Sequence, residues 1–223
     1  MRELYRQDLA QLGEELEHMS RNVTRAIERA TKALGEGDLT IAEQTIDADE
    51  RLDDAARNID EMCVSLLALQ APVASDLRLI LAGLRLSQTM ERQGDLARHI
   101  ALIARATYPN HSICELAAPQ INKMGEAAVN MARMTQELVA SQDLSLAARV
   151  QDEDDVLDDL QVEVRRLIAD ESNDFTRTQI IDLTLAARFL ERFGDHAVSV
   201  ARRVGYIVEG TAGGTEEGFT GRL

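Results

Sequence analysis

Apolar residues recur every three or four positions through most of this chain, which is the period of an amphipathic helix. Leu9, Leu12, Leu16, Met19, Val23, Ile27, Ala30 and Leu34 make one such stripe and predict a first helix over residues 2–34, stopped by Gly35 and Gly37. Thr40 with Glu43 reads as a capping box opening a second helix, which carries Ala42, Ile46, Leu52, Ile59, Met62, Cys63 and Leu66 and runs to about Gln70. Pro72 breaks that helix. Ser75 is the expected N-cap of a third helix over about 76–107, ended by Pro109. Long helices joined by short loops pack antiparallel, so a bundle is expected.

The pattern then restarts. Displacing the sequence by 105 residues aligns Met19 with Met124, Asp38-Leu39 with Asp143-Leu144, Asp49 with Asp154, and Leu52-Asp53-Asp54 with Leu157-Asp158-Asp159. Displacing the last helix by 100 aligns Glu91-Arg92-x-Gly94-Asp95 with Glu191-Arg192-x-Gly194-Asp195. This is an internal duplication of a three-helix unit. The fold class expected is all-α, two tandem pseudo-symmetric three-helix bundles with six long helices. Residues 1–108 form the first repeat, 109–118 a linker and 119–208 the second repeat. The Gly-rich stretch 209–223 is expected to be a disordered tail.

Composition narrows the class. Only 3% of residues are aromatic, too few for a typical sandwich of aromatic and β-branched strands. With 39 acidic against 24 basic residues the net charge is −15, which argues against binding nucleic acid. No apolar run reaches the ~18 residues of a membrane span, and the first residues lack the apolar core of a signal peptide. Cys63 and Cys114 are the only cysteines, read as a small core residue and a free thiol in the linker of a cytoplasmic protein.

The candidate chemistry lies in four carboxylate pairs with helical i, i+4 spacing: Asp49/Asp53, Glu91/Asp95, Asp154/Asp158 and Glu191/Asp195. In an antiparallel hairpin, residues at equal height have position numbers with a constant sum. Asp49 with Asp95 and Asp53 with Glu91 share one sum, which centres the hairpin on Pro72. Asp154 with Asp195 and Asp158 with Glu191 share another, centred on Asn173-Asp174-Phe175, where Asp174 is the expected N-cap. Around the helix from Leu52, Asp49 falls at about 60° and Asp53 at about 100°, while Glu50 and Asp54 point away to solvent. Each repeat thus gathers four carboxylates from two helices. At an effective dielectric of roughly 20, two like charges about 6 Å apart cost about 3 kcal/mol. Protons, arginines such as Arg92 and Arg192, or a cation must relieve this. Carboxylates on facing helices suit Mg²⁺, Ca²⁺, Mn²⁺ or iron.

Other motifs are sparse. Glu15–His18 is the only Glu-x-x-His pair, so a di-iron oxidase lacks support. His99 and His196 each adjoin a carboxylate motif and read as surface histidines. Met19, Met62, Met90, Met124, Met131 and Met134 follow helical spacing and read as core. The chain has no phosphate-binding glycine loop, dinucleotide fingerprint or nucleophile elbow.

The segments LLALQAPVASDLRLI (66–80), ERQGDLARHIA (91–101) and LERFGDHAVSVARRV (190–204) closely resemble the PhoU family of bacterial phosphate-signalling regulators, and the resemblance spans about residues 1–208. Arg-rich, Lys-poor usage is similar to actinobacterial members. The resemblance implies two pseudo-symmetric three-helix bundles. It also implies E/D-x-x-x-D motifs, which in some members hold iron or zinc clusters, and here these fall on the same four pairs. Gln93 departs from the apolar residue usual in that motif, whereas Phe193 keeps it. The resemblance further implies a non-catalytic adaptor. Its partners would be the ATPase subunit of the phosphate ABC transporter and the sensor histidine kinase of the phosphate two-component system, acting at the inner face of the membrane and holding the starvation response off. Homodimers occur among related proteins. The alternatives are a metal or phosphate store or sensor outside transport, and a carboxylate-metal hydrolase.

Overall fold

The computed structural model describes residues 2–70, 72–111 and 113–210, and among these every regular element is a helix. They are α1 (Arg2–Glu36), α2 (Leu39–Gln70), α3 (Ala74–Thr107), α4 (Ala118–Ser141), α5 (Ser145–Ala169) and α6 (Arg177–Glu209). The expected tail lies, from residue 211 onward, outside the described residues.

The predicted stripes are the buried faces. Leu12, Met19, Ile27 and Ala30 of α1 are fully buried, as are Ile59 and Cys63 of α2, and Met124 and Met131 of α4 repeat the role of the α1 stripe. Burial pushes the Cys63 thiol up to about 12, so it is an inert core group. Each repeat packs its three helices on one another, and the repeats join through α1 against α4 and α3 against α6. Both joints are antiparallel. In the first, Thr24 donates to the Ala132 carbonyl (3.2 Å) and Arg133 pairs with Glu28 (2.7 Å). In the second, Gln93 Nε2 donates to the Phe193 carbonyl (3.4 Å). Gln93 therefore ties the repeats together. Helices α2 and α5 pack only within their own repeats, one on each flank, and buried residues of both repeats form one continuous core.

Element ends differ from the sequence reading in four places. Gly35 remains inside α1; Gly37, at φ 66°, makes the turn, and His111 Nδ1 lies 3.0 Å from where a Cβ would stand. The second helix is capped by Asp38, whose Oδ1 accepts from Ile41 N at 3.0 Å, rather than by a Thr40–Glu43 box. The third opens at Ala74, at φ 50°, with Val73 at the cap and no side-chain cap bond; Ser75 instead donates to Asp76 Oδ1. The sixth is capped by Thr176, not Asp174: Thr176 Oγ1 accepts from Gln179 N and Gln179 Oε1 accepts from Thr176 N. In each case a competing oxygen or backbone turn lay within three residues, and polar spacing alone does not rank such neighbours.

Candidate metal-binding carboxylate clusters

The four carboxylate pairs lie where α2 meets α3 and where α5 meets α6. A glycine sets the approach in each repeat. A Cβ on Gly94 would stand 2.6 Å from Leu52 Cδ1 and 3.4 Å from Asp49 Oδ1. One on Gly194 would stand 2.7 Å from Leu157 Cδ2, 2.8 Å from Asp154 Oδ1 and 3.3 Å from Met131 Sδ. The glycine of the E-R-x-G-D motif thus lets the facing leucine and aspartate settle against its helix.

In the first cluster Asp49, Asp53, Glu91 and Asp95 come together. Burial raises the pKa of Asp49 and of Glu91 above the ordinary carboxylate range, and the other members' charges raise them further. Arginine opposes this. Arg98 Nε stands 2.7 Å from Asp49 Oδ2, and Arg98 Nη2 donates to Asp95 Oδ1 at 3.3 Å. Arg92 reaches Asp95 Oδ2 (3.0 Å) and Glu91 Oε2 (3.4 Å).

In the second cluster Asp154, Asp158, Glu191 and Asp195 come together with less relief. Arg188 donates to both Glu191 oxygens at 2.6 Å. Asp154, Asp158 and Asp195 have no ion pair among the described residues. Burial, then the charges of Asp158 and Asp195, push the Asp154 carboxyl up to about 7. Asp158 and Glu191 are raised by the same causes, with Arg188 acting against them. Two arginines make the difference: the position of Arg98 is Val198 in the second copy, and Arg192, unlike Arg92, makes no ion pair among the described residues.

Arg98 and Arg188 were not singled out by the sequence reading. Their signal was i, i+3 spacing to Asp95 and from Glu191. The expected partner Arg92 does pair, whereas Arg192 makes no ion pair among the described residues. Glu50, Asp54, Asp155 and Asp159 are exposed, as their helical angles predict, and Asp158 and Asp195 are also exposed.

Hard carboxylate oxygens suit a divalent cation or iron. Among the described residues, no three carboxylate, imidazole or thiol side chains converge in a set able to hold a metal ion. The donor chemistry fits; the donors of the first cluster are turned onto guanidinium groups. The second cluster, with three carboxylates outside any ion pair among the described residues, is the less neutralised of the two.

These features define a duplicated helical bundle with a carboxylate cluster repeated in each half. A profile described as the PhoU domain matches residues 16–104 and 121–204. The chain belongs to the PhoU family. It is 41% identical over 204 residues to the phosphate-specific transport system accessory protein PhoU homolog 2 of Mycobacterium tuberculosis, covering 92% of this chain and 96% of that protein. It is 38% identical over 211 residues to PhoU homolog 1 of Mycobacterium leprae, covering 95% of each. The crystal structure of PhoU from Pseudomonas aeruginosa is similar at a TM-score of 0.84 and 29% identity, covering 93% of this chain and 100% of that one. The fold is also that of a phosphate transport system regulatory protein PhoU from Streptococcus pneumoniae, at a TM-score of 0.84 and 22% identity, covering 95% and 100%.

Proposed function

We propose that this protein is a cytoplasmic, non-catalytic regulator of phosphate homeostasis that holds the phosphate-starvation response off and restrains the phosphate ABC transporter. The observation that carries this reading is near full-length similarity to proteins named accessory to phosphate-specific transport. The partners are the transporter's ATPase subunit and the sensor histidine kinase. In this reading contact with the transporter runs through its cytoplasmic parts; no helix among the described residues is long and apolar enough to cross a membrane. The net charge of −15 favours basic patches on those partners and speeds encounter.

The carboxylate clusters bind metal ions in this reading, the second more readily than the first. A cation there supplies positive charge that fixes the α5–α6 face presented to a partner. Asp154, Asp158, Glu191 and Asp195 hold it in the second cluster; Asp49, Asp53, Glu91 and Asp95 hold it in the first once Arg98 and Arg92 swing aside.

Deleting the gene tests the regulatory role. In phosphate-rich medium the deletion strain should express starvation genes that the parent keeps silent, and the intact gene should restore silence. A deletion strain with unchanged starvation genes and unchanged phosphate uptake would overturn the reading. Purified chain should also bind the ATPase subunit or the kinase in a salt-sensitive manner.

A further inference from the structure

The α3–α6 joint is crossed by the pseudo-twofold axis, so each side of it should repeat the other. It does not. On one side Phe189 stacks on His99, with ring centroids 5.1 Å apart and planes at 26°. The duplication places Thr89 where Phe189 stands and Ser199 where His99 stands, and it exchanges Leu185 for Arg85 and Ile103 for Arg203. On that second side an open groove of about 660 Å³ lies between α2, α3 and α6.

Arg85, Thr89 and Arg92 of α3 and His196, Ser199 and Arg203 of α6 line this groove. Arg92 is occupied by Glu91 and Asp95. Arg85 and Arg203 have no carboxylate partner among the described residues, in a chain where acidic residues outnumber basic ones 39 to 24. They are close enough for each charge to act on the other: burial first, then Arg85, disfavours the charged form of Arg203. Arg203 Nε is buried and has no hydrogen-bond partner among the described residues; Nη1 donates to the Ser199 carbonyl at 3.2 Å. A buried guanidinium donor left unmatched beside a second guanidinium is costly unless an anion joins them.

We propose that this groove is an oxyanion site in which Arg85 and Arg203 clamp one compact phosphoryl-class anion. Two guanidinium forks from facing helices match a tetrahedral anion, whose oxygens accept paired N–H donors from two directions. The α2 wall limits the ligand's size. It carries Asp53 and Asp60, the latter accepting from Ser87 at 2.9 Å, and an extended polyanion would lie against them. The ligand is therefore inorganic phosphate or the phosphate of a mononucleotide. The site does not rest on the regulatory reading; Asp53, Glu91 and Arg92 of the first carboxylate cluster also line the groove, so a metal-free chain is the form in which it is tested.

Calorimetric titration of the full chain in chelator-containing buffer tests this, with inorganic phosphate, AMP and sulfate as separate probes. The expected result is saturable one-to-one binding of inorganic phosphate or AMP, weakened by salt. Affinity should fall at least about tenfold in Arg203→Gln and in Arg85→Gln, the loss of one good charged hydrogen bond. Thr89→Phe, which copies the second repeat, should also abolish it. Arg85 is exposed, so its variant should fold normally by circular dichroism and keeps the test decisive if Arg203→Gln does not fold. Tighter binding of AMP than of phosphate would assign the anion to a nucleotide. The proposal is overturned if neither phosphate nor AMP saturates below about 10 mM, or if both arginine variants bind as the parent does. It is equally overturned if binding needs a divalent cation and vanishes in Asp154→Asn.

Discussion

The two aspartates at equivalent places in the repeats, Asp49 and Asp154, differ in their cationic neighbour. Arg98 stands against Asp49; Val198 occupies the corresponding position near Asp154. The Asp154 carboxyl is held at about 7, against an ordinary value of 3.8. Below the ordinary value it is protonated folded and unfolded and contributes nothing. As pH rises from 3.8 to about 7 the unfolded chain ionises first, and the folded state loses stability. Above that range the full penalty stands. Asp154→Asn should therefore stabilise the fold by about 1–2 kcal/mol at about pH 8, discounted for partial exposure, and change it little at about pH 4. Chemical denaturation at both pH values checks this, and equal shifts would refute the repulsion. Glycines supply a second contrast. A Cβ on Gly13 meets nothing within 4 Å, so Gly13→Ala should stabilise α1 by roughly 0.5–1 kcal/mol. Gly194→Ala drives a methyl to 2.7 Å from Leu157 Cδ2 and should cost about 1 kcal/mol net despite the gain in helix propensity. That the acidic residues gather into two clusters was legible from i, i+4 spacing and matched heights. The arginines that divide them into a neutralised and a strained cluster were not, because an arginine on a helix surface reaches several carboxylates and spacing does not choose among them.

At the scale of elements, apolar period placed the first two helices, an N-cap and a proline bounded the third, and the duplication supplied the other three, while their ends followed local hydrogen-bond competition. Asp38 captures the start of α2 because its carboxylate reaches Ile41 N, leaving Thr40 inside the helix. Asp38→Ala should lower stability by about 1 kcal/mol, whereas Thr40→Ala should be nearly neutral. A pair of thermal melts distinguishes them, and the reverse order would restore the capping-box reading. The glycine of each E-R-x-G-D motif was visible in the sequence. Its purpose, admitting Leu52 or Leu157 against the neighbouring helix, needed the packed structure.

For the whole molecule, duplication was legible because identities recur in register over long stretches, and it fixed six helices in two units. How the units join was not, since a pseudo-symmetric sequence does not say which faces meet. The joint uses α1 with α4 and α3 with α6, merging two small cores into one. The repeats also depart from symmetry: Val198 for Arg98 leaves the second cluster without a second arginine, and Thr89, where the second copy has Phe189, lines the groove between α2, α3 and α6. Metal occupancy of the second cluster is the central claim. It is most directly tested by mass-spectrometric metal analysis of the full chain after loading with Mn²⁺, Fe²⁺ or Zn²⁺ at about pH 8 and desalting, beside Asp154→Asn/Asp158→Asn. The account predicts stoichiometric metal in the parent, falling as pH drops below about 7 because protons compete at Asp154, and lost in the variant. Metal at background level for every ion, or equal metal in parent and variant, would contradict it.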